Sequence, residues 1–103
     1  MAKLSLKANP TFSAKVGIPK HGSTPVEIQF TFKHRTSKDF SDWLKSLDGK
    51  DKAEAVLEMA EGWELEDEFS TDNIRVLLSN YMGAFQAILD TYMKELTQAR
   101  LGN

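Results

Sequence analysis

Residues 11–33 read TFSAKVGIPKHGSTPVEIQFTFK. Phe12, Ala14, Val16 and Ile18 alternate with Ser13, Lys15 and Gly17, and Val26, Ile28, Phe30 and Phe32 alternate with Glu27, Gln29 and Thr31. A period of two places one set of side chains on a buried face and the other in water, so each run predicts a half-buried strand. Pro, Gly and Ser in PKHGSTP, residues 19–25, make the segment between them a loop, and the pair predicts a long antiparallel hairpin. Leu4 and Leu6 repeat the alternation briefly and offer a short third strand.

Beyond Thr36 the apolar period lengthens. Phe40, Trp43, Leu44 and Leu47 form one helical stripe, with Thr36 and Asp39 placed to cap its start and Asp48-Gly49 its end. Asp51 and Glu54 open a second helix in the same way. Its stripe is Ala53, Val56, Leu57 and Ala60, and Gly62 is expected to close it. A third helix starts after Ser70 or Thr71, with apolar residues at 74, 77, 78, 81, 85, 88, 89, 92 and 96. Unbroken from 71 to 99, it would run roughly 40 Å. A folded chain of 100 residues has a radius of gyration of only about 13 Å, so part of the stripe is expected to overhang and meet another chain. The alternative is a kink at Gly83 that returns the helix to the core. The fold class is therefore α+β: an N-terminal hairpin, with or without a third strand, then three helices, the last one long. All 103 residues are expected to form a single domain, β-rich over 1–35 and helical over 36–103.

Composition narrows the function. The chain has no cysteine, which excludes disulfides, thiolate zinc sites and thiol nucleophiles. No run approaches the ~20 apolar residues of a membrane span, and the amino terminus lacks the apolar stretch of a secretory signal. Charge is unevenly spread: residues 1–35 carry six Lys/Arg and one acid, whereas residues 53–73 carry eight acids and no base. Such asymmetry favours electrostatic pairing with a partner or self-association of copies head to tail. The six front cations are dispersed over 33 positions and the sequence pI is near 5.6, which argues against nucleic-acid binding.

Chemistry is poorly supplied. His21 and His34 have no metal-ligand spacing, no serine lies in a nucleophile elbow, and neither phosphate-binding glycine loop occurs. The acids of EGWELEDEF, residues 61–69, match no calcium-loop frame. Neighbouring loop acids do not by themselves raise a pKa for acid-base work. Neither a metal nor another cofactor is expected. Glu54, Glu58 and Glu61 fall opposite the second helix's stripe and read as its solvent face. Trp63 and Leu65 are expected to pin an extended connection to the core, with Phe69 anchoring the start of the next helix. Glu64, Glu66, Asp67 and Glu68 are left as an acidic ledge for recognition. The helix face containing Phe85, Tyr92, Met93 and Leu96 is the second expected partner surface.

The segments KLSLKANPTFSAKV, FTFKHRT, GWELEDEF and ELTQARLGN, in this order and spacing, resemble the tail assembly chaperones of long-tailed, lambda-like bacteriophages and related prophages. The likeness spans essentially the whole chain. It implies a non-enzymatic assembly factor of the host bacterial cytoplasm, absent from the mature virion. Such a factor would bind the tape measure protein, a long helical and aggregation-prone chain, while tail tube subunits are recruited around it. It further implies a longer frameshifted product that contacts the tube protein, with this chain as the shorter one. From a different class, a small acidic regulatory adaptor or inhibitor that mimics nucleic acid also suits the charge.

Overall fold

The computed structural model describes residue 4 and residues 6–97. The hairpin forms as its alternation requires: β1 (Thr11–Ile18) pairs antiparallel with β2 (Val26–Lys33), placing Ala14 opposite Phe30 and Val16 opposite Ile28. Val16, Ile18, Ile28, Phe30 and Phe32 are buried, while Ser13, Lys15, Glu27 and Gln29 face water. Gly22 takes a φ of 79° in the connecting loop, a conformation that favours glycine.

Three helix starts are capped by the residues whose chemistry predicts it. Thr36 accepts from the Asp39 N–H ahead of α1 (Ser37–Lys45), Asp51 from Glu54 ahead of α2 (Lys52–Met59), and Ser70 from Asn73 ahead of α3 (Thr71–Asn80). Each satisfies a backbone donor that the first helical turn leaves unpaired. Ser70→Ala is expected to lower stability by about 1 kcal/mol, measured by urea denaturation.

The third strand lies elsewhere than expected. Leu4 and Leu6 are exposed and outside any strand. Instead α2 stops at Met59, and the chain passes directly into β3 (Ala60–Trp63), so Gly62 sits within a strand and does not end a helix. β3 covers the free edge of β2, with Trp63 opposite Phe30 and a register irregularity at Thr31/Phe32, giving the order β1-β2-β3. Helical continuation would have left that edge unpaired and Trp63 away from Phe30, whose ring it now meets edge-on at 6.0 Å. Tertiary pairing outweighs the local helical period here.

The last helix is also divided. α3 ends at Asn80, and α4 (Ala84–Thr97) follows a three-residue corner; the expected end at 99 lies outside the described residues. At the corner Gly83 meets Pro19 of the hairpin loop so closely that a Cβ there would lie 3.1 Å from Pro19 Cγ. The bend returns α4 to the sheet and buries Ala84, Ile88 and Tyr92, spaced four apart on one face. The expected overhang is therefore absent among the described residues, and the kink at Gly83 is what forms. Gly83→Ala should push Pro19 away by a few tenths of an ångström, seen as amide shift changes at residues 18–22.

Tyr92 joins the layers. Its hydroxyl donates to the Lys33 carbonyl at 2.7 Å and accepts from Arg35 Nη1 at 2.9 Å. Its ring meets Phe32, Phe40 and Trp43 at 5.3–6.0 Å between centroids. Arg35 also donates to the Glu58 carbonyl at 2.7 Å and lies over the Trp43 ring at 5.1 Å. The Glu58 carboxylate accepts from Lys50 Nζ at 2.7 Å and Trp43 Nε1 at 2.8 Å, tying α1 to α2. Glu58 is thus not part of a plain solvent face as expected. The Lys50 bond, opposed by partial burial and reinforced by Trp43, holds its carboxyl below the ordinary glutamate range. A lowered acid stabilises the fold above its unfolded pKa, near 4.5, and that stabilisation is lost as pH falls through the folded value. Glu58→Gln should flatten this acid limb in melts between about pH 3 and 6.

Candidate functional site

The acidic connection is held by its backbone, which leaves most of its acids free to face outward. Trp63 Nε1 donates to the Asp67 carbonyl at 2.7 Å, and Asn73 Nδ2 donates to the Glu68 carbonyl at 2.8 Å. Phe69 packs edge-on against Trp63 at 5.1 Å, the anchoring expected of it. Glu64 is committed to the sheet: its N–H donates to the Gln29 carbonyl at 3.0 Å, and its Oε1 accepts from the Gln29 N–H at 2.8 Å. Glu66, Asp67 and Glu68 have exposed side chains. All four acids of the ledge are exposed, and Glu64 alone of them is also bound to the β2 backbone, at Gln29.

The α4 set is arranged differently from expectation. Tyr92 has no exposed surface and cannot present itself to a partner, because the bend at Gly83 turns it into the core. Phe85, Met93 and Leu96 are half-buried and pack against the core cluster. Lys52 Nζ lies 5.5 Å from the Phe85 ring centroid, a cation over an aromatic face. The acids and the α4 residues are not brought together in one site.

A groove of about 400 Å³ opens beside the connection instead. One wall is the end of the hairpin, with Ile18, Lys20, Val26 and Ile28. The second is the connection, with Trp63, Leu65 and Asp67. The third is α3, with Asn73, Val76, Leu77, Asn80 and Tyr81. Val26 and Val76 are 45% and 56% exposed, and Met82, next to Tyr81, is 91% exposed. Sequence reasoning missed these residues. Val26 continues the inward alternation but lies at the hairpin end, beyond the covering helices. Val76 falls off the 74, 77, 78, 81 stripe, and an apolar residue off its helix's stripe was the available signal.

The groove's lining is mostly apolar, with Asp67 on the wall formed by the connection and Lys20 on the hairpin wall. Among the described residues no charged side chain is buried, and no group of three or more His, Asp or Glu is gathered to hold a metal ion. No helix among them is long and apolar enough to cross a membrane.

Comparison with known proteins agrees with the resemblance carried by the sequence segments. No curated protein and no solved structure matches the chain. A family model described as phage tail assembly chaperone matches residues 1–103, the whole length. The chain therefore belongs to the phage tail assembly chaperone family.

Proposed function

We propose that this protein is a non-enzymatic chaperone that binds the tape measure protein in the host bacterial cytoplasm, aids recruitment of tail tube subunits, and is left out of the finished virion. The family match along the whole chain carries this reading. The structure supports it with an open apolar groove beside a rigid acidic connection, a surface suited to a protein partner. Contact with tube subunits falls to a longer frameshifted product that adds a further domain. The acids set orientation and on-rate, and suppress wrong partners, more than they set affinity.

Co-expression with the tape measure protein of the same tail tests the proposal. A soluble complex that co-purifies is expected. Tape measure protein that stays insoluble and uncomplexed would overturn it.

A further inference from the structure

Of the five large hydrophobic side chains exposed among the described residues, Val26 and Val76 line the groove and Met82 adjoins it in sequence. Leaving both valines in water forgoes part of the roughly 1.5–3 kcal/mol that full burial of each side chain brings. Their convergence on one concave surface marks a place that a partner covers. The wall formed by the connection is acidic, whereas Lys20 stands on the hairpin wall. Asp67 lines the groove, its sequence neighbours Glu66 and Glu68 have exposed side chains, and no base occurs between residues 53 and 73. On the β3 side of β2, Glu64 engages both the N–H and the carbonyl of Gln29, which leaves that residue's backbone no bond to offer a partner. The groove itself offers apolar side chains from three elements, which suits a helix laid in it.

We infer that this groove binds an amphipathic helix whose apolar stripe covers Val26, Val76 and Tyr81 and whose Lys or Arg flank lies along Asp67. The assignment deepens the chaperone reading, on which its biological partner rests, by naming the site and the chemistry of the segment bound. A basic flank along Asp67, with exposed Glu66 and Glu68 beside it in sequence, gains from charge complementarity, and its attraction weakens with salt.

The test uses the full chain, labelled with ¹⁵N, and designed 18-residue helical peptides. One carries Leu at positions i, i+3, i+4 and i+7 with Lys along one flank. A second has Glu in place of Lys, and a third is a scramble of the first. At low salt the Lys peptide should bind at least about tenfold tighter than the others, a factor worth about 1.4 kcal/mol. Its shifts should centre on Val76, Tyr81 and the Trp63 indole. Val76→Asp should weaken it about tenfold or more, and Asp67→Lys should reverse the Lys-over-Glu preference; both positions are exposed, so the fold should persist. Equal binding of the three peptides, shifts centred on α4 or on the outer sheet face, or indifference to both substitutions would overturn the assignment. The two readings fail separately. Peptide binding without tape measure co-purification removes the chaperone reading alone. Tape measure co-purification equal for the native chain and Val76→Asp removes the groove assignment alone.

Discussion

Tyr92→Ala is expected to lower stability by about 3–5 kcal/mol, the range for emptying a large aromatic from a packed interior. Typical domains are stable by only about 5–15 kcal/mol, so this substitution alone removes a large part of the total. The ring has no exposed surface and meets Phe32, Phe40 and Trp43. Its loss opens a cavity where β2, α1 and α4 meet. The hydroxyl adds a second loss, because its removal frees the Lys33 carbonyl and one Arg35 bond. Tyr92→Phe isolates that share, expected at about 1–3 kcal/mol for an unsatisfied partner. Urea denaturation at neutral pH separates the two. Alkali gives an independent reading. Burial raises the Tyr92 pKa above 10.0, with Arg35 opposing. A raised phenol stabilises the fold below its unfolded pKa, and that contribution disappears as pH rises through the folded value. Tyr92→Phe should therefore remove part of the stability loss seen above about pH 10.

Phe30→Ala is the second large effect, again about 3–5 kcal/mol. Phe30 has no exposed surface, stacks beside Phe32 at 5.8 Å and holds Trp63 edge-on. Trp63 in turn binds the Asp67 carbonyl and packs on Phe69. The consequence should extend beyond stability to the position of β3 and of the acidic connection. Trp63 emission should shift to the red as its ring gains water, and the groove wall formed by Trp63, Leu65 and Asp67 should lose its fixed place. A Phe30→Ala protein that melts like the native chain, with unchanged emission, would show that the sheet core does not position the groove.

How far the sequence foretold this structure depends on which forces decide each element. The hairpin and the three caps were legible because alternation and capping are local: a strand's period and a side chain's reach to a backbone N–H lie within a few residues. β3 was not legible. Ala60 continues the α2 stripe, and only the free edge of β2, some thirty residues away, makes an extended path better. The corner at residues 81–83 had one local hint, Gly83, but the reason to bend is the approach of Pro19, more than sixty residues earlier. That bend buried Tyr92 and left Phe85, Met93 and Leu96 of the expected α4 face half-buried. The acidic connection was legible as an exposed run anchored by Trp63 and Phe69, whereas Glu64's engagement with Gln29 and the groove beside Asp67 depend on three elements meeting. Val76, apolar and off its stripe, was the trace of the groove within the sequence.

The most direct test of the account is the solubility of the tape measure protein when co-expressed with the native chain and with Val76→Asp. A soluble, co-purifying complex is expected with the native chain, and a loss of most of that complex with a folded Val76→Asp variant. Tape measure protein that remains insoluble with the native chain would contradict the account.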